Sequence, residues 1–144
     1  MDVYSFQDFT LTLEQEGYPT LSTVGQGIGD ASVSYTDEKN EAQVASDGVT
    51  VFSKIRSDVG GLSVSMQQTS SLHKLLIKRF NDLYYTNDTT DWASMNGILK
   101  NKSTGEQKVL KGIAFKKIPD NAHGRTAAMV TWEFDVAYVS TNII

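Results

Sequence analysis

The stretch 62–84, LSVSMQQTSSLHKLLIKRFNDLY, carries two different periods back to back. Leu62, Val64 and Met66 alternate with Ser63, Ser65 and Gln67, which is the two-residue period of a half-buried strand. From Ser71 onward, Leu72, Leu75, Leu76, Phe80, Leu83 and Tyr84 recur at three- and four-residue spacings, with His73, Lys74, Lys78, Arg79 and Asp82 at the other positions. Ser70 or Ser71 can accept a backbone N–H at the start of that run, and Asn87 lies just beyond its end. The spacing predicts one amphipathic helix over about 71–85, preceded directly by a strand.

Outward from this point the two-residue period dominates. Towards the N-terminus, Phe6, Asp8, Thr10 and Thr12 interleave with Phe9, Leu11 and Leu13; a turn at Gly17-Tyr18-Pro19 leads to a short strand at 21–24. Residues 28–36 set Asp30, Ser32 and Ser34 against Ala31, Val33 and Tyr35. Towards the C-terminus three more strands are read near 92–100, 107–118 and 127–139. In the last, Val130, Trp132, Phe134, Val136 and Tyr138 are assigned to the apolar side, opposite Thr131, Glu133 and Asp135. Residues 37–57 start out polar and hold Asp47-Gly48 between extendable runs. That pair predicts a long protruding hairpin whose central residues both take positive φ. Strands with a single helix give a mainly β fold, an antiparallel sandwich or barrel whose side or end the helix covers. No linker, repeat or low-complexity tract divides the chain, so 1–144 reads as one domain.

Composition excludes several classes of function. A chain of 144 residues, 40% hydrophobic and 21% charged, can bury a core without staples. A net charge of −4 with dispersed Lys and Arg argues against a general nucleic-acid binder, whose affinity comes from neutralising phosphates. With no cysteine there are no disulfides, thiolate metal sites or Cys nucleophiles. MDVYSFQDFT has no basic patch ahead of an apolar run, so no secretory signal is expected. Leu75-Leu76-Ile77 is too short to insert in a membrane.

Chemistry is sparse. His73 and His123 lie fifty positions apart, and nothing in their spacing, even with Asp120, calls for a metal. Gly25-Gln26-Gly27-Ile28-Gly29 lacks the Lys-Ser/Thr and the helix that a nucleotide loop requires. Glu133 and Asp135 sit two apart on one strand face, not across a substrate. The loop Asn87–Asp91 lacks the glycine and terminal glutamate of a helical calcium loop. No enzyme activity, catalytic residue, metal or cofactor is therefore expected. Tyr84, Tyr85 and Trp92 around that loop keep open the alternative of a carbohydrate-binding β-sandwich.

Three segments together resemble tail tube proteins of contractile-tailed bacteriophages: YSFQDFTLTL at 4–13, QQTSSLHKLLIKRFND at 67–82 and GIAFKKIPDNAHGRTAAMVTWEFDV at 112–136. The resemblance runs over nearly the whole chain in order; Ser71 stands where the family would suit a proline. It implies a structural virion protein that is made in the bacterial cytoplasm and resides in the tail. Six subunits would form a ring, and rings would stack on themselves into a tube that conducts the genome. Sheath, baseplate and terminator proteins would be its partners; a tube initiator, terminator or secretion-tube protein could share the fold. In such a tube, Ser63, Ser65, Gln67, Thr131, Glu133 and Asp135 are expected to face the lumen, where they would offer DNA no attraction. Asp37, Glu38, Lys39, Glu41, Asp47 and Gly48 of the hairpin are expected to contact the next ring.

Overall fold

The computed structural model describes residues 9–22, 28–86, 89–101, 105–119 and 129–143. Among these residues, nine strands and one helix follow in chain order: β1 (Phe9–Glu14), β2 (Leu21–Ser22), β3 (Ile28–Tyr35), β4 (Asn40–Val44), β5 (Thr50–Lys54), β6 (Gly60–Gln67), α1 (Ser71–Tyr84), β7 (Met95–Asn101), β8 (Glu106–Lys117) and β9 (Met129–Ile143). Seven strands make one antiparallel sheet in the order β2-β1-β7-β8-β9-β6-β3, while β4 and β5 pair only with each other. The mainly β class, the single helix and the separate hairpin match the sequence reading. The sheet is not a closed barrel: β2 and β3 end the strand order and do not pair with one another.

The sheet nonetheless folds over on itself. Leu11, Leu13 and Leu21 from β1 and β2 line the same small apolar void as Val64 of β6, Phe134 of β9 and Leu72 and Leu76 of α1. In a flat sheet, β1 and β6 would stand about 19 Å apart, four strand spacings. Sharing one void therefore requires the two wings of the sheet to close on each other in a sandwich-like arrangement, with the inner side of the helix packed against residues of both. The bend is written into β8 and β9. Burial alternates strictly from Val130 to Val136 and then skips to Val139; on the partner strand it skips from Leu110 to Ile113. At the skip Gly112 takes φ +70, and a Cβ there would come within 2.9 Å of Ala137 Cβ. Both strands change phase together, which moves Tyr138 off the core face where plain alternation had put it. Tyr138 is instead 42% exposed, with Lys111 Nζ 5.8 Å from its ring centre.

The helix begins as its sequence suggests. Ser70, at φ −62 and ψ 140, caps it by accepting from Leu72 N–H at 3.2 Å. Its inward stripe differs from the apolar pattern, however. Leu72, Leu76 and Leu83 are buried as expected, but Leu75 and Tyr84 are exposed, and His73 and Arg79 are buried in their place. Each buried polar group has partners that offset its desolvation. Arg79 donates to Gln15 Oε1 at 3.1 Å and to Pro19 O at 2.6 Å, and lies 4.6 Å over the Tyr18 ring. Gln15 passes the link on through Nε2 to Asp91 O and Ser94 Oγ. One guanidinium thus ties the helix to the β1–β2 turn and to the loop before β7.

His73 sits against the central core residue. Trp132 Nε1–H donates to His73 Nδ1 at 3.0 Å, which requires a neutral imidazole with its proton on Nε2. Burial lowers the His73 pKa below its ordinary 6.5. A folded-state pKa below the unfolded one means that stability is complete above about pH 6.5 and falls as the pH drops through the folded value. Thermal melts from pH 7.5 to 5.5 should show this loss, and His73→Gln, which keeps an acceptor for Trp132, should flatten it. An unchanged slope in His73→Gln would assign the titration to other groups.

Candidate functional site: a polar sheet face and a protruding hairpin

Two surfaces stand apart from the core. The first is the outer side of β3, β6 and β9. In an antiparallel ladder, paired residues share a face; Ser32 pairs with Ser63, Ser63 with Glu133, Ser65 with Thr131 and Gly61 with Asp135. All alternate with buried Leu62, Val64, Met66, Trp132 and Phe134. Gln67, paired with Met129, extends the same side of β6. The six residues proposed from sequence for a lumen are therefore brought together on one face, directed away from the core. Ser65 Oγ and Thr131 Oγ1 are 2.9 Å apart. Ser32, Ser34, Ser63, Glu133 and Asp135 line one shallow depression, and Lys116 of β8 lies in it too. In the sequence that lysine is one of a short basic pair with Lys117, with no role on this face assigned to it. It reaches this face by plain alternation with buried Phe115, while the bulge between Phe115 and Lys117 sets Lys117 opposite Glu133.

The second surface is the hairpin β4–β5. Every residue of both strands is exposed. Its turn differs from the predicted form: among the described residues no non-glycine has positive φ, so Asp47 does not, whereas Gly48 does, at +88. The loop spans Ala45–Val49, with Ala45 N–H donating to Val49 O, Gly48 N–H to Ala45 O, and Asp47 Oδ1 accepting from Val49 N–H at 3.1 Å. A side-chain-capped turn followed by a left-handed glycine replaces two left-handed residues because the carboxylate can cap the turn itself. The proposed contact residues separate into two groups. Asp47 and Gly48 are at the tip and Glu41 is on β4, whereas Asp37 and Lys39 hold the base. Asp37 accepts from Ser57 Oγ at 2.6 Å. Lys39 pairs with Asp58 at 3.2 Å, bonds Ser57 O and lies 4.6 Å over the Tyr35 ring. Glu38, between Asp37 and Lys39, is exposed.

The other chemical candidates gain little. His73 spends its acceptor on Trp132, while His123, Asp120, Gly25, Gly27, Asn87 and Asp88 lie outside the described residues. Among the described residues no group of three His, Asp or Glu could hold a metal. Tyr84 stacks on Phe80 at 5.1 Å, and Tyr85 meets Tyr84 edge-on. Both rings stay exposed and form one aromatic cluster with Phe80 and Trp92.

A family model described as Bacteriophage PhiTE tail tube protein matches residues 1–143. No curated protein sequence matches. Among solved structures, a chain from the anti-feeding prophage baseplate, 6-fold symmetrised, is similar with a TM-score of 0.65 at 13% identity, covering 99% of this chain and 96% of that one. A chain from the anti-feeding prophage tube terminating cap gives 0.63 at 9% identity over 100% and 93%. A chain from the tail of an empty GTA particle gives 0.56 at 10% identity over 99% of each. At these identities the likeness is one of fold.

Proposed function

Because the chain belongs to the bacteriophage PhiTE tail tube family, we propose that residues 1–144 act as one tail-tube domain, six copies of which close into a ring. Rings stack into a hollow tube, and the genome passes through it on ejection. The observation that carries this reading is the continuous Ser/Thr/Glu/Asp face across β3, β6 and β9, backed directly by the core. A subunit that contributes these strands to a ring-wide barrel needs one dry side and one side that tolerates water. The lumen is that wet side. The Glu133 and Asp135 carboxylates there repel phosphate and offset the charge of Lys116 beside them, so the face offers DNA little net attraction.

Ring closure uses the terminal strand β3, whose outer edge would otherwise be a template for uncontrolled pairing. The hairpin reaches the adjacent ring, held at a fixed angle by Lys39 and Asp37 at its base. The role is structural and not catalytic. Synthesis is in the bacterial cytoplasm, residence is in the virion tail, and sheath, baseplate and terminator proteins are the neighbours. The similarity to chains from a baseplate and from a tube cap supports a place in such an assembly, with the initiator or cap position as the second reading.

Sedimentation tests the self-association. The purified protein should pass from monomer to ring-sized and larger species as its concentration rises, since interface burial competes with a concentration-dependent entropy cost. A single monomer boundary over a wide range of concentration and salt would overturn the proposal.

A further inference from the structure

We propose that the apolar side of the hairpin docks on a strip formed by Thr12, Ile98 and Val109 on the outer face of the other sheet wing of a second copy. This rests on the tube reading above and names the receiving surface.

The hairpin is two-faced. Ala42 pairs with Phe52 and Val44 with Thr50, so these four side chains share one side, while Glu41, Gln43, Val51 and Ser53 share the other. Phe52 is 69% exposed and Val44 72%. A lone two-stranded ribbon is marginal in water, and an apolar side this open calls for a cover. Among the described residues nothing covers this side, as the exposure of Phe52 and Val44 shows.

The receiving strip has matching chemistry. Thr12 pairs with Ile98, and Ile98 with Val109, so the three stand in one row across β1, β7 and β8 on the side opposite buried Leu11, Leu13 and Leu110. They lie in a shallow groove of about 200 Å³ that also touches Glu14, Asn96 and Lys111. Ile98 is 40% exposed at its centre.

Charge favours one direction of docking. The row on one side of Ile98 contains Glu14, and the row on the other side contains Lys100. The hairpin's apolar side runs from Lys54 at its base to Asp47 beyond its tip. Laid along the groove with Lys54 towards Glu14 and Asp47 towards Lys100, it meets opposite charge at both ends. Lys111, in the Glu14 row, is held over the Tyr138 ring. Donor and acceptor are different surfaces, so the contact is heterologous and every copy can both give and receive.

The absence of native cysteine makes the test direct. Phe52→Cys and Ile98→Cys are made separately, both at exposed positions, then mixed under assembly conditions and treated with a flexible bismaleimide. A covalent dimer appearing in the mixture and scarcely in either variant by itself is the expected result. In parallel, Phe52→Ser and Ile98→Ser should each raise the concentration needed for assembly by about tenfold, with the double variant no worse than the singles because both remove one shared contact. Dimers of Phe52→Cys with itself would overturn the proposal, as would additive effects in the double variant. Rings or tubes that form normally without the mixed dimer would sink this contact and leave the tube reading standing. A parent protein that forms neither would sink both.

Discussion

Tubes built from the double variant Glu133→Lys, Asp135→Lys should assemble and then release DNA at least about tenfold more slowly than the parent, with the defect largest at low salt. Both carboxylates are exposed on the face of β9 opposite Trp132 and Phe134, and each pairs across the sheet with β6. The double change moves the charge by about four units per subunit, repeated around every ring, and gives each passing phosphate a site to bind. Escape from many weak sites in series is slow even where each one is slight. The fold should tolerate the change, because exposed side chains contribute little through surface charge. Lys116 already shares the depression with these carboxylates, so some new like-charge contact is built in. Replacing Lys116 with Gln in the same background should restore assembly if that contact impairs it, while leaving DNA release slow. Release at the parental rate from well-formed tubes would remove Glu133 and Asp135 from the lumen.

Replacing residues 42–52 by Asn-Gly should leave a folded domain that does not stack beyond one ring. Glu41 and Ser53 are register partners, so a two-residue turn can join them directly. None of the buried core residues lies in the removed segment. The melting temperature should therefore move by only a few degrees, the shift expected for less than about 1 kcal/mol. Assembly should change far more, because the apolar ribbon that reaches the neighbour is gone. Proteolysis offers a second view of the same contact: the hairpin should be cut readily in free subunits and resist cutting in tubes. A shortened variant that makes tubes of parental length would reduce the hairpin to surface decoration.

Much of this was legible from alternation. The polar face of β6 and β9 could be read because Leu62-Ser63-Val64-Ser65 and Thr131-Trp132-Glu133-Phe134 alternate without a break, and register follows wherever one side is buried. Tyr138 shows where that rule stops. A positive-φ glycine on the neighbouring strand shifts the phase of both strands, and nothing within β9's own sequence announces it. The helix shows a different limit. Hydrophobicity ranks Leu75 as buried and Arg79 as exposed. Arg79 is inside because Gln15, Pro19 and Tyr18, some sixty residues away, converge on its guanidinium. His73 is buried for the same kind of reason, through Trp132. The Asp47-Gly48 turn was placed correctly and its geometry was not, because the aspartate's own carboxylate caps the turn and removes the need for a second left-handed residue. The Ile98 strip was missed entirely. Its apolar members lie on three strands and come together only in the folded sheet.

Cryo-electron microscopy of the purified, assembled protein decides whether the chain builds a tube around its polar face. The expected map is a hollow six-fold tube with Ser63, Ser65, Thr131, Glu133 and Asp135 on the channel wall, and with each hairpin against a neighbouring copy. Monomers at every concentration, or a tube whose channel is lined by another face with those carboxylates outside, would contradict it.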